Sequence, residues 1–358
     1  MKTTGKKSAR RKGRAVTIDE VAVLAQVSPM TVSRVVNGHA KVRETTREKV
    51  MQAVRELGYV PNQAASSLAA AQDVRIALIY TNPSGAYLRE LLLGALHGAE
   101  RTAAQLVIDS WETLDAAAER KAARALAKSV GGVILPPPLC ESKVVIEELT
   151  KAGVPVVAVA SGHFIHDISS VRIDDFLASK EIVEHLINMG HTRIACVKGH
   201  PNQMASQRRF EGYQAALKEA GIARDAELVQ QGYFTYRSGL EAVEKLLSLR
   251  KPPTAIFASN DDMAAAAVSV AHRRGLRVPL DLSIVGFDDT SAATTVWPEL
   301  TTVRQPISSM ADSAIDILLR AIRRNGNETR VVVDQVVAHQ LVMRGSVAPA
   351  KTAAKTRS

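Results

Sequence analysis

The sequence predicts a small all-α head joined to an α/β body of two parallel-sheet subdomains, and three observations carry that prediction. Capping signatures and an apolar period near 3.6 place short helices between Thr17 and Gly58. From residue 74 onward, short apolar runs alternate with amphipathic helical patterns. A chain of 358 residues, 46% hydrophobic and 23% charged, has material for two or three cores of ordinary size.

Charge is distributed unevenly. Residues 1–72 hold 13 Lys and Arg against 5 Asp and Glu, a net +8 of the chain's +10, and Lys351, Lys355 and Arg357 add three more at the end. The long middle is therefore near −1, and a basic head on a neutral body points to a polyanionic partner. Residues 1–15, MKTTGKKSARRKGRA, read as a basic disordered tail that adds nonspecific phosphate attraction. No apolar run follows the tail, as a signal peptide would require, and no segment reaches membrane-spanning length. Cys140 and Cys196 have neither CxxC nor zinc-ligand spacing. These features fit a reducing cytoplasm, with no membrane, metal or cofactor.

The head's elements follow in order. Thr17 and Glu20 make a T-x-x-E capping box, with Ile18, Val21, Ala22 and Ala25 at helix spacing up to about Gln26. Ser28 and Pro29 open a second helix as N-cap and first-turn proline. In VSPMTVSRVVNG, Pro29, Met30, Ser33, Arg34 and Asn37 share one arc, and Val32, Val35 and Val36 share the opposite one. One face packs and the other is free to reach a polar surface, which is the pattern of a helix-turn-helix. A third helix is expected from Thr45, with Glu48 completing another capping box, Val50, Ala53, Val54 and Leu57 inward, and Gly58 as the stop.

TIDEVAVLAQVSPMTVSRVVNG, then VRETTREKVMQAVRELGYVPNQAASSLA, resembles the DNA-binding headpiece of the lactose-repressor (LacI/GalR) family of bacterial transcription regulators. The resemblance covers residues 17–69, and weaker family features run to about residue 345. It implies an all-α helix-turn-helix headpiece plus an α/β body of two Rossmann-like subdomains, periplasmic-binding-protein-like. It places the second helix in the major groove, with Pro29, Met30 and Arg34 toward base edges. Arg34 suits guanine and Met30 a thymine methyl. Thr17, Ser28, Thr31, Ser33, Asn37, Lys41 and Tyr59 are then expected to contact DNA chiefly at phosphates. The alanine-rich stretch 62–73 becomes a hinge helix, with Asn62, Ala65 and Leu68 at the DNA and Leu68 as a minor-groove wedge. One departure is Gln26, where the family often has glycine.

In the body, VRIALIY, QLVIDS, GGVILPPP, VPVVAVA, TRIACVKG, TAIFASND and SIVGFDD read as strands of parallel sheets. The expected organisation is a basic tail (1–15), a helix-turn-helix domain (16–61) and a hinge or linker (62–73). An effector-binding and dimerisation domain (74–345) and a disordered tail (346–358) follow. The body's subdomains are placed at about 75–160 and 162–290, with later segments shared. Ligands of such sheets sit beyond strand carboxyl ends, where Asn82, Asn260 and Asp288 fall. The resemblance adds Arg209 from RRFEGY and Phe234 after QQGY; Tyr87 completes the set.

Arg, Asn and Asp beside an aromatic face suit a sugar or similar polyol. Ala160-Ser161 replace a family aspartate, and Gln203 and Ala205 replace polar contacts of some branches, which leaves room for a non-sugar effector. The expected protein is a nucleoid-associated, sequence-specific repressor, a homodimer on palindromic double-stranded DNA, released by its effector. Other readings are a co-repressor-dependent regulator, or an exported solute-binding protein, which the basic head opposes. Asp261-Asp262 and Asp288-Asp289 could serve as paired acids. Yet P-loop, GxSxG, HExxH and GxGxxG motifs are all missing, so no enzyme is expected, and His191 in NMGHTRIA reads as architectural.

Overall fold

The computed structural model describes residues 16–36, 42–59, 74–81, 84–111, 115–323 and 331–351. The chain divides into two compact units, residues 1–70 and 71–358. In the first, α1 (Ile18–Ala25), α2 (Pro29–Val36) and α3 (Glu44–Leu57) bury Val21, Ala22, Ala25, Val32, Val35, Val50 and Ala53 against one another.

The capping box forms as expected. Glu20 N–H donates to Thr17 Oγ1 at 3.4 Å and Thr17 N–H donates to Glu20 Oε2 at 2.8 Å. Ser28 Oγ accepts the Thr31 N–H at 3.2 Å, which caps α2. Gln26 sits in the left-handed region with φ 54°, so the position that favours glycine holds a side chain at a steric cost. The second expected capping box does not form. Helix α3 starts one residue early, with Arg43 at the N-cap and no side-chain bond, so Thr45 lies inside the first turn. Gly58, at φ 63°, ends α3.

The second unit opens with β1 (Arg75–Tyr80), α4 (Gly85–Thr102), β2 (Gln105–Ser110), α5 (Ala116–Leu126), β3 (Gly132–Leu135), α6 (Lys143–Lys151), β4 (Val156–Val159) and β5 (Ser169–Arg172). It continues through α7 (Asp175–Asn188), β6 (Ile194–Lys198), α8 (Met204–Glu219), β7 (Val229–Gln231), α9 (Tyr236–Leu247), β8 (Ala255–Ala258), α10 (Asp261–Arg273) and β9 (Ser283–Asp288). It closes with α11 (Ser291–Thr295), β10 (Thr301–Arg304), α12 (Ile307–Arg323), β11 (Asp334–Val336) and β12 (Gln340–Val342).

Two six-stranded sheets result, ordered β11-β5-β4-β3-β1-β2 in lobe 1 and β12-β10-β9-β8-β6-β7 in lobe 2. The β10–β12 pair is antiparallel; the other pairs are parallel. Central strands such as β3, β4 and β8 are buried throughout and read as plain apolar runs for that reason. The chain passes from lobe 1 to lobe 2 after β5, back after β10, and over again between β11 and β12.

Two expectations are corrected here. The boundary at 160–162 moves to the end of β5, because Ser169–Arg172 pairs with β4 in the first sheet. A strand spelled SSVR carries too little apolar signal to be seen in the sequence.

The tail expected to begin at 346 instead docks onto lobe 2. Ser346, fully buried, donates from Oγ to the Ile284 carbonyl at 2.6 Å and accepts the Thr301 N–H at 2.8 Å. Ala348 N–H donates to Ser283 Oγ, Ala350 N–H donates to the Met189 carbonyl, and Lys351 pairs with Asp281. His191 joins this seam through Thr254, Ser283 and the Ala348 carbonyl, an architectural role as expected. The expected tail at 1–15, the hinge at 62–73 and residues 352–358 lie outside the described residues.

Helices α4 and α12 meet at Gly94, where an added Cβ would stand 2.0 Å from the Ser308 carbonyl oxygen. Helices α7 and α8 meet in the same way at Gly212, over the Phe176 carbonyl.

Two outcomes are expected. Ser346→Ala leaves a buried N–H and C=O unpaired and should cost about 1–3 kcal/mol in urea unfolding; an unchanged midpoint would mean the seam carries no stability. Gln26→Gly should raise the stability of the head by about 1 kcal/mol, read from its melting temperature, and a lowered value would contradict the strain assigned to this residue.

Candidate functional site

On the head, Ser28, Pro29 and Arg34 are exposed, Met30 is 63% exposed, and Thr31 and Ser33 are half-buried. Thr31 is held by Ser28 at 2.9 Å between hydroxyls. Arg34 is exposed and has no ion-pair partner among the described residues. Thr17 is engaged in the capping box, and Tyr59 packs against the head's core while its backbone closes the end of α3. Asn37, Lys41, Asn62, Ala65 and Leu68 lie outside the described residues.

In the body, a pocket lies at the carboxyl ends of both sheets. Ser84, Tyr87, Pro137 and Ala160 line it from lobe 1; Gln203, Ala205, Arg209, Phe234, Asn260 and Asp288 line it from lobe 2. Five of the six residues expected at the effector are brought together; the sixth, Asn82, is outside the described residues.

Arg209 is the centre of the pocket floor. Its Nε donates to Asp175 Oδ1 at 2.7 Å, and its Nη1 donates to the Ser259 carbonyl at 2.6 Å and to Asp288 Oδ1 at 3.4 Å. The guanidinium lies 3.7 Å over the Phe287 ring. Burial alone would lower the Arg209 pKa, and the carboxylates of Asp175 and Asp288 reverse that and raise it. Gln305, on the return crossover, donates from Nε2 to Asp288 Oδ1 at 2.6 Å.

Burial pushes the Asp288 carboxyl up to about 7, with Arg209 and Gln305 pulling the other way. Tyr87 is buried, which, with Asp288 adding, raises its phenol well above the ordinary value. The Tyr87 hydroxyl and Gln305 Oε1 have no hydrogen-bond partner among the described residues.

Asn260 does two jobs. It caps α10 by accepting the Met263 N–H at 3.0 Å, and its Nδ2 donates to the Phe234 carbonyl at 3.0 Å. Three lining residues hold positive φ: Ala160 at 57°, Phe234 at 59° and Asp288 at 109°. Such backbone costs of order 1–3 kcal/mol per residue and persists where surrounding packing over-determines it. The Phe234 ring covers Gly199 so closely that a Cβ there would fall 2.0 Å from it.

Two contacts cross the cleft beside the pocket. Ser84 caps α4 and donates its hydroxyl to Asp262 Oδ2 of lobe 2 at 2.6 Å. Glu141 of lobe 1 accepts the Met204 N–H on both oxygens, at 3.0 and 2.9 Å. Gln203, the N-cap of α8, gives no side-chain bond, so this helix is capped from the opposite lobe.

The aspartate doublets separate into different jobs. Asp261 holds Thr302 and Thr290, Asp262 holds Ser84, and Asp289 pairs with Arg304 and Arg344. Sequence reasoning missed Asp175, Gln305 and Glu141. The doublet Asp174-Asp175 ahead of a helix was the available signal: Asp174 caps Leu177 and its neighbour is left for Arg209.

A helix-turn-helix head and a two-lobed body with a polar pocket at its strand ends define a ligand-responsive DNA-binding protein. Residues 17–62 match the family model of bacterial regulatory proteins, lacI family, and residues 183–347 match the periplasmic binding protein-like domain. The chain is 36% identical to the HTH-type transcriptional regulator DegA of Bacillus subtilis (strain 168) over 339 residues, 94% of this chain and 99% of that one. The solved structure of a transcriptional regulator CelR–cellobiose complex is similar with TM-score 0.70 and 32% identity, over 92% of this chain and 99% of that chain. The lac repressor dimer bound to operator and the anti-inducer ONPF gives TM-score 0.67 and 29% identity, over 94% and 100%. The chain belongs to the LacI family of bacterial transcription regulators.

The raised Asp288 pKa has a direction that can be tested. The native carboxyl keeps its proton to about pH 7, whereas the unfolded chain releases it near 3.8. Across that window the native state binds more protons, so this residue's contribution to stability falls as pH rises and levels off above the folded value. Asp288→Asn should therefore gain in melting temperature relative to wild type between about pH 5 and about pH 8. A gap that stays constant would contradict the assigned titration.

Proposed function

We propose that this chain is a sequence-specific transcriptional repressor whose hold on its operator is set by a small molecule, a sugar, bound in the pocket between the lobes. The observation that carries the reading is the convergence of Arg209, Asn260 and Asp288 with Tyr87 and Phe234 in one pocket, in a chain whose residues 17–62 match the lacI family model. The relative solved with cellobiose supports a sugar, and the repressor solved as a dimer on operator supports two chains on a palindromic site. Exposed Leu93 and Leu96 on α4, with Ile108 on β2, offer apolar surface for pairing.

The protein acts in the cytoplasm, at the nucleoid, and is not an enzyme. Effector binding stabilises one angle between the lobes, and the hinge segments of the paired chains then lose or gain their fit to DNA. Linkage limits the response to the difference in effector affinity between DNA-free and DNA-bound protein. Release by effector is the sign adopted here.

The test is selection of bound sites from random duplex DNA, followed by a screen of sugars for release of the best site. Arg34→Ala should weaken the selected site by about 1–3 kcal/mol and leave nonspecific binding nearly unchanged. An equal loss on all sequences would reassign Arg34 to phosphate contact. Full-length protein with no sequence preference would remove the reading altogether.

A further inference from the structure

The pocket's charges and its unpartnered polar atoms together narrow the class of ligand, given the reading above that the pocket holds the effector. Among its described lining residues Arg209 is the sole cation, and that cation is already compensated. Asp175 and Asp288 both face it, so one guanidinium meets two carboxyl groups. If Asp288 holds its proton, Asp175 still balances the charge; if Asp288 is ionised, the floor is net negative. No lining residue offers an uncompensated positive charge to an incoming anion. A buried charge without a partner is far less favourable than a buried hydroxyl that finds one.

Hydroxyl groups, by contrast, meet several matched atoms. Arg209, a lining residue, uses Nε and Nη1, and its Nη2 has no hydrogen bond among the described residues. The Tyr87 hydroxyl, on a residue that lines the pocket from lobe 1, is buried and has no hydrogen-bond partner among the described residues. Buried polar atoms without partners are uncommon in native proteins, and one on a pocket-lining residue marks a position that a ligand fills. Phe234, Ala160, Ala205 and Pro137 supply the apolar remainder.

We propose that the pocket takes a polyhydroxy ligand without carboxylate or phosphate, and that Tyr87 is a specificity-determining residue that reads one of its hydroxyls from lobe 1.

Matched pairs test this in calorimetric titration of the full chain: D-glucose against D-glucuronate and glucose 6-phosphate, D-galactose against D-galacturonate, and cellobiose against cellobionate. Retention of the selected DNA site is measured in parallel. At least one neutral sugar should bind, with its acid counterpart weaker by about 100-fold or more. Tyr87→Phe should weaken the neutral sugar by about 5-fold or more, with the melting temperature of the free protein retained. At about pH 8, where the wild-type carboxyl is ionised, Asp288→Asn leaves Arg209 with one carboxylate and should narrow the gap between neutral sugar and acid by about 10-fold.

An acid that binds as tightly as its neutral partner, or a full set of neutral sugars that fails to bind, overturns the inference while DNA binding remains intact. Unchanged affinity in Tyr87→Phe overturns the role of that hydroxyl. Loss of site-specific DNA binding in the wild type counts instead against the regulator reading.

Discussion

The buried guanidinium of Arg209 is the constraint on which the body's working geometry depends. Its partners come from three places: Asp175 at the first crossover, the Ser259 carbonyl after β8, and Asp288 at the end of β9. Gln305 extends the network to the return crossover through Asp288. Two of the connections between lobes are thereby tied to the pocket floor. A buried ion pair adds little net stability, because desolvation offsets most of the attraction, but loss of one partner leaves an uncompensated charge. The network therefore fixes orientation more than it adds stability. Any ligand that rests on Asp288 acts on residues that also set how the lobes are joined.

Much of this arrangement was legible in the sequence, and the reasons differ by element. The head was readable because its signals are local: Thr17 and Glu20 are three residues apart, and Pro29 marks its own helix start. Central strands were readable because burial on both faces forces apolar runs. Strands β5, β7, β10, β11 and β12 were not, because they are three or four residues long and several are polar. Arg209, Asn260 and Asp288 stood out as polar groups at strand ends or through the family likeness. Asp175 and Gln305 did not, since each gains its meaning from a residue 34 or 17 positions away. The docked segment 346–351 was hidden for a similar reason: alanine, proline and serine resemble a loose tail until Ser346 is seen closing bonds with Ile284 and Thr301.

The fold itself orders the pocket's lining. Left-handed backbone at Ala160, Phe234 and Asp288 aims three lining residues from two lobes, and core packing around β4, β8 and β9 supports them. Asn260 is held on both sides of its amide. A site already ordered loses less conformational entropy on binding, so more of the contact energy remains as affinity. The aspartate doublets contribute to this order by division of labour: one member of each anchors the fold, while Asp175, Asp262 or Asp288 faces the pocket or the other lobe.

Glu141 gives the cleft a mechanical property of its own. Because the carboxylate that satisfies the first N–H of α8 belongs to lobe 1, spreading the lobes would strip the helix that carries Arg209 of its terminal anion. Loss of such a cap is worth roughly 0.5–2 kcal/mol, the same order as the coupling energies of about 1–3 kcal/mol by which effectors shift affinity. Separation of the lobes therefore carries a cost set by one backbone amide and one side chain, and it falls on the helix that holds the pocket's arginine.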